Sequence, residues 1–353
     1  MKYLRLLLFP FSLIYGLVII LRNWCYDTGF FKSYAFKLPI ISVGNLEVGG
    51  AGKSPMTEYL IRLFKNDHQL ATLSRGYGRK TKGYLTATAT TTATTIGDEP
   101  AQFKHKFPDI TVAVCEKRVE GIKQLAPAHN LILMDDAYQH RAVKPGFSIL
   151  LFDYNSAKPH LLLPAGNMRE PLSGRWRADV LMVSKCPVTL TADEQNKLAA
   201  QVKPLNYQQL FFTSIAYQPL QDMAGNNSNQ VIDDETAVFL LTGIANAEPL
   251  VNHLKKYTPH IIHHNYPDHH RFTLKNISKL ADEFLACPAQ KKLIITTEKD
   301  AQRLGEQELQ PLVNPLPVLV IPIGLIFLNN GQQQFDQSVI NYVREHSKHN
   351  AIH

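Results

Sequence analysis

The 353-residue sequence predicts an α/β protein of two lobes, the larger built on a mostly parallel sheet, with an apolar helix at the N-terminus. Three observations predict it. Short apolar runs rich in β-forming residues alternate with helical patterns, and such strands between helices imply a parallel sheet covered on both faces. A glycine-rich stretch joins one of these runs to a helical pattern at residues 44–54. After a polar connector at 217–235 the alternation starts again.

The N-terminus comes first. Leu6 to Leu21 is sixteen residues without a charge, with Lys2 and Arg5 before it and Arg22 after it. A full span needs roughly twenty apolar residues, so this run suits a retained anchor that spans the bilayer or embeds in one leaflet. The rival is a signal peptide, but Asn23-Trp24-Cys25-Tyr26-Asp27 offers no small-residue cleavage site. Residues 1–28 are assigned to the anchor, 29–216 to the core lobe and 236–345 to the second lobe.

In the core lobe, strands are expected at 39–43, 70–74, 110–114, 131–134, 147–152 and 180–184. Pro55 suits the first turn of a helix, and Met56, Tyr59, Leu60, Leu63 and Phe64 follow at helical spacing. Thr86 to Thr95 is almost pure Thr and Ala and reads as an edge hairpin or a surface loop. The second lobe carries expected strands at 237–241, 293–297 and 318–323.

Composition narrows the function. The net charge of +7 favours acidic partners: nucleic acid, an anionic membrane or a phosphorylated substrate. Cys25, Cys115, Cys186 and Cys287 are scattered, which suits a reducing compartment and argues against a disulfide framework or a zinc cluster.

The glycine-rich stretch carries the sharpest chemistry. In Gly49-Gly50-Ala51-Gly52-Lys53-Ser54, glycines let backbone N–H groups turn toward an anion at a helix N-terminus. Lys53 would reach the β- and γ-phosphates of a nucleotide, and the Ser54 hydroxyl would ligate Mg²⁺. Glu47 stands where the usual spacing wants a glycine. Asp135-Asp136 ends an apolar run, the place where a nucleotide enzyme sets a metal-associated carboxylate. Gly97-Asp98-Glu99-Pro100 is a second acidic pair, read either as a helix start or as a base for an attacking hydroxyl.

Other clusters say less. Arg75-Gly76-Tyr77-Gly78-Arg79-Lys80-Thr81-Lys82 is an anion-binding or solvated loop; with one aromatic and no helix reader it does not read as a nucleic-acid binder. His260, His263, His264, His269 and His270 match no common zinc spacing, and a His beside Asp268 reads instead as tuning or orienting an acid or base. Lys117-Arg118, Arg169-Glu170-Pro171 and Thr297-Glu298-Lys299-Asp300 read as solvated turns that line a cleft only in combination.

Taken together, the segments VGNLEVGGAGKSP, SRGYGR, GDEP, LMDDAYQH, LLPAGNMREPL, LTGIANAEP, PDHHRF and TTEKDAQRL resemble the tetraacyldisaccharide 4′-kinase family, in the family's order, over about residues 40–303. The resemblance implies transfer of the ATP γ-phosphoryl group to the 4′-hydroxyl of a lipid-linked disaccharide 1-phosphate. It also implies work at the cytoplasmic face of the bacterial inner membrane. Asp98 would be the general base, paired with His269. Glu99, Asp135 and Asp136 would serve Mg²⁺ and nucleotide, and Arg118, Arg169 and Glu170 would line the site. Ala137, Tyr138 and His270 depart from the family's usual Gly, Phe and aromatic. A partitioning ATPase of the ParA/MinD type shares the Gly-Gly-x-Gly-Lys loop but carries a lysine where Val48 stands here.

Overall fold

A computed structural model describes residues 5–157 and 160–350; Lys2 and the rest of the first four residues of the expected anchor lie outside the described residues. Helix α1 (Phe9–Asp27) leads to strand β1 (Ile40–Asn45) and helix α2 (Lys53–Phe64). Then come β2 (Leu70–Ser74), the edge strand β3 (Leu85–Thr86), helix α3 (Asp98–Lys106), β4 (Thr111–Val114), helix α4 (Arg118–Leu125) and β5 (Leu131–Asp135). Strands β6 (Phe147–Asp153), β7 (Val180–Ser184) and β8 (Gln209–Tyr217) close this run. The second lobe holds β9 (Ala237–Thr242), β10 (Ile261–Asn265), β11 (Lys292–Thr297), helix α5 (Glu298–Leu304) and β12 (Val318–Ile321). Strand β13 (Ile323–Phe327) and helix α6 (Gly331–Asn350) follow.

The large sheet has the order β13-β8-β7-β6-β1-β5-β2-β4-β3. From β8 to β4 it is parallel, and the two edge strands, β13 and β3, are antiparallel to their neighbours. The small sheet, β10-β9-β11-β12, is parallel throughout. The inner strands are apolar because helices or loops cover both faces: Ile41, Val43, Leu133 and Ile149 pack on α2 through Leu60 and Phe64, while Leu150, Leu181 and Val183 face Leu46 and Tyr138.

The chain does not stay in the second lobe to residue 345, as the sequence suggests. After Pro322 it returns, β13 pairs with β8, and Phe335, Val339 and Val343 of α6 bury in the core of the first lobe. Each fully buried side chain of this kind stabilises by roughly 1.5–3 kcal/mol relative to exposure. Pattern alone hides this return, since a strand's partner is chosen by packing. Nor is the connector free: Gln221 bridges Asn227 and Val320, and Leu220 joins the second lobe's core. The Thr-rich stretch resolves into β3, a turn and a short helix (Ala93–Ile96).

Candidate active site

Strand β1 lies between β5 and β6, so the loop after it leaves the carboxyl edge of a parallel sheet, where such sheets place ligands. Gly44 admits the neighbouring chain: an added Cβ would sit 2.6 Å from the Tyr138 Cβ. Gly52 starts α2 at φ +81°, a conformation that disfavours side chains. The Ser184 hydroxyl donates to the Ala51 carbonyl at 2.8 Å and pins the loop. Lys53 Nζ donates to Asn45 Oδ1 at 3.3 Å and to the Gly49 carbonyl at 3.4 Å, and lies 3.6 Å from Asp136 Oδ1. Ser54 is buried in the first turn of α2. Glu47, the off-pattern residue, accepts a hydrogen bond from Ser156 Oγ at 2.7 Å.

Two carboxylates stand beside Lys53. Asp135 ends β5 fully inside the protein, and Thr57 Oγ1 donates to it at 3.0 Å. Burial, then the charges of Asp136 and Glu99, push its pKa up to about 6. Asp136 sits at φ 47°, in the left-handed region that few side chains adopt. Burial opposes ionisation of Asp136, but Lys53 and Arg169 outweigh it and hold its pKa below the usual carboxylate range. Arg169 Nη1 reaches both Asp136 oxygens at 3.3 Å. Arg118 is buried at the start of α4, where burial brings its pKa down to about 10 against the pull of Asp136.

Among the described residues no three His, Cys, Asp or Glu side chains form a ready metal cage. Mg²⁺ does not need one, since it takes one or two carboxylates and completes its shell with water and phosphate oxygens. Crowded carboxylates beside a phosphate loop fit that demand.

The opposite wall comes from both lobes. Asp98 opens α3 in the first lobe; His269 follows β10 in the second, at φ 58°. His269 Nδ1 donates to Asp98 Oδ2 at 2.8 Å, across 171 positions of sequence. That bond raises the His269 pKa despite partial burial. Burial alone would raise the Asp98 pKa; His269 and Arg303 together bring it down to about 2. The Tyr77 ring lies beside that of His269, with centroids 5.5 Å apart. Asp98, Glu99 and Asp135 all act on the Lys299 ammonium, which places the Asp–His pair and the phosphate-loop carboxylates in one electrostatic neighbourhood.

Several residues sit differently from their sequence reading. Glu99 pairs with Lys299 of α5 at 2.6 Å. Glu170 is 0% exposed and is bound by Arg177 at 2.6 Å and Asn23 at 3.3 Å, away from Lys53's contacts. A fully buried carboxylate needs such a cation. Thr297-Glu298-Lys299-Asp300 is no solvated turn: Asp300 is 0% exposed, and α5 presses its charges onto α3. Arg79, in the basic loop, holds Glu116 at 2.5 Å and the Gly83 carbonyl at 2.7 Å. Sequence reasoning passed over Arg303 and Lys106; both lie within segments quoted above or in the helix after GDEP, but nothing in the sequence marked them as buried.

A phosphate loop on the central strand, a carboxylate pair at the end of its neighbour and an Asp–His pair joined to that carboxylate strand through Lys299 define an ATP-dependent phosphotransferase. The family model described as tetraacyldisaccharide-1-P 4′-kinase matches residues 4–344. The chain belongs to this family. It is 43% identical to the tetraacyldisaccharide 4′-kinase of Phocaeicola vulgatus over 350 residues, 97% of this chain and 96% of that one. It is 44% identical to the Flavobacterium psychrophilum enzyme of the same name, over 97% of this chain and 98% of that one. A crystal structure of the "apo" form of LpxK from Aquifex aeolicus in complex with ATP is similar with a TM-score of 0.75 and 27% identity, covering 96% of this chain and 99% of that one.

Proposed function

We propose that this chain transfers the γ-phosphoryl group of ATP to the 4′-hydroxyl of a tetraacyldisaccharide 1-phosphate, with Asp98 taking the hydroxyl proton. The observation that carries the assignment of roles is the Asp98–His269 bond, whose carboxylate acts on the same Lys299 ammonium as Asp135 at the end of β5. A loose phosphoryl-transfer transition state asks mainly for alignment and charge neutralisation, so the base must be held in place more than it must be strong. Lys53 would bind the nucleotide phosphates and Ser54 their metal. Asp135 and Asp136 would hold Mg²⁺, which would neutralise charge on the phosphates. Lys53, then Arg169 and Arg118, keep Asp136 ionised. Glu99, engaged by Lys299, has a lesser claim on the metal, and Glu170 a structural one.

The geometry of α1 supports a membrane reading. By length and composition it is able to cross a bilayer, yet its polar stripe is spent on the protein. Ser12 donates to the Leu162 carbonyl at 2.9 Å, Tyr15 to the Arg169 carbonyl at 3.0 Å, and Arg22 to the Gln139 carbonyl. Gly16 lets Leu162 approach to where a Cβ would sit at 2.8 Å. Leu13, Leu17, Leu21 and Trp24 are turned outward, with Leu17 67% exposed. Such a helix, with most of its apolar surface free, anchors the chain at the membrane, either embedded in one leaflet or crossing it. The active site would then meet a lipid-borne sugar at the headgroup level of the cytoplasmic leaflet, with the exposed Arg75 available to an anionic headgroup.

The test is a lipid 4′-kinase assay in mixed micelles with Asp98→Ala and His269→Ala. Expected is a fall in kcat of about 10²–10⁴-fold for Asp98→Ala. Near-wild-type turnover for that variant would remove Asp98 from the role of base.

A further inference from the structure

Asp98 is approached by a third residue that no motif reading singled out. Arg303 of α5 donates to Asp98 Oδ2 through Nε at 3.0 Å and through Nη2 at 2.5 Å. His269 Nδ1 donates to the same oxygen. This is not the parallel fork in which a guanidinium covers both carboxylate oxygens. Three donors converge on Oδ2, and among the described residues no hydrogen bond reaches Oδ1.

The guanidinium is itself held rigidly. Arg303 Nη1 donates to Asp300 Oδ1 and to the Gly243 carbonyl, both at 2.8 Å. Asp300 Oδ2 accepts from the Gly243 amide at 3.0 Å and from Thr297 Oγ1 at 2.7 Å. The Gly243 carbonyl also accepts from the His269 backbone at 3.0 Å. One carbonyl therefore positions both partners of Asp98. A Cβ at Gly243 would come within 3.1 Å of Asp300 Oδ1 and 3.3 Å of Arg303 Nη1. Arg303 is only 5% exposed, so this arrangement is not a surface pair.

We infer that Arg303 is a positioning residue for the phosphoryl transfer: carried by the second lobe, it fixes Asp98 by Oδ2 and leaves Oδ1 for the attacking hydroxyl. The inference rests on the reading of Asp98 as the base. Its consequence is that the base is aligned only while the second lobe lies against α3. The first lobe binds the phosphates with its own residues, so loss of Arg303 should spare ATP binding and reduce turnover.

The experiment is a double-mutant cycle on the full-length chain in mixed micelles, with Arg303→Gln, Asp98→Asn and both together. Expected for Arg303→Gln is a kcat lower by about 10²-fold with the KM for ATP changed by less than about threefold. The double variant should be no slower than Asp98→Asn, because Arg303 acts through Asp98. A kcat within about twofold of wild type for Arg303→Gln, or losses that multiply in the double variant, would overturn the inference. An active Asp98→Asn variant would instead overturn the role of Asp98. Should Arg303→Gln fail to fold, Arg303→Lys carries the same cycle. It keeps the charge but offers a single nitrogen, and it is judged by the same non-additivity.

Discussion

The two walls of the active site are built in opposite ways. The phosphate wall is drawn largely from neighbours in sequence: residues 49–54 and Asn45 supply the loop and two of the contacts of Lys53, while Asp135, Asp136, Arg169 and Ser184 join it from elsewhere in the same lobe. The wall that holds the proposed base joins α3 to α5 and to the turn after β10, with Asp98 and Arg303 205 positions apart. The first is preformed by one lobe and tolerates lobe movement. The second exists only where two lobes meet, which is where a kinase gains from delaying catalysis until its substrates are enclosed.

That contrast is open to attack at four points. The largest effect is expected from Lys53→Ala, which removes the cation of the one-lobe wall: kcat/KM should fall by about 10³-fold, while thermal stability without nucleotide barely moves. A steady-state assay and a melting curve separate the two.

Next is Lys106→Met. Lys106 bridges Glu58 of α2, at 2.7 Å, to Glu298 of α5, and Glu298 Oε2 accepts from the Ile323 amide at 3.1 Å, where the chain turns back to the first lobe. Glu58 keeps Arg62 at 3.1 Å, but Glu298 would face it without a cation of its own, at a cost of about 3 kcal/mol. The urea midpoint should fall. An unchanged midpoint would mean that the walls are not coupled by this route.

The third concerns pH. His140 lies five residues past the carboxylate strand, and burial, then Arg118, Arg22 and Arg75, hold its pKa down to about 4 from an ordinary 6.5. The unfolded chain therefore takes up a proton below pH 6.5 that the folded chain refuses. Stability on this account is full above 6.5 and is lost as pH falls toward 4. Urea melts across that window should show a shallower slope for His140→Gln than for wild type.

The smallest is Ser184→Ala. Without its donor the Ala51 carbonyl loses its pin, at about 1 kcal/mol, so the KM for ATP should rise about fivefold with kcat preserved. A matching loss in kcat would show that the loop, too, depends on tertiary alignment during turnover.

Much of the fold was legible because parallel strands buried on both faces read as continuous apolar runs. Strands β1, β2, β4, β5, β6, β7, β9, β11 and β12 fall where the sequence expects them, to within about two residues. Three strands escaped notice. Gln209–Tyr217 looks like the tail of a helical stretch, the edge strand β10 is masked by its histidines, and Ile323–Phe327 reads as a continuation of the strand before it. The site divides in the same way. Lys53, Ser54, Asp135 and Asp136 announce themselves by position after apolar runs. Glu298, Lys299, Asp300 and Arg303 do not, because a charged residue in sequence carries no sign of whether water or another charge will satisfy it.

By itself, then, the sequence determined the phosphate loop, the carboxylate pair on the adjacent strand, the apolar helix and the lobe order, since each depends on local geometry or on periodicity within one element. Only the tertiary structure decided which carboxylate faces which cation, that α1 spends its polar stripe on the body, and that the chain returns to the first sheet after Pro322. Those outcomes turn on desolvation. A buried charge is tolerable only opposite its partner, and the partner's place is set by how whole elements pack.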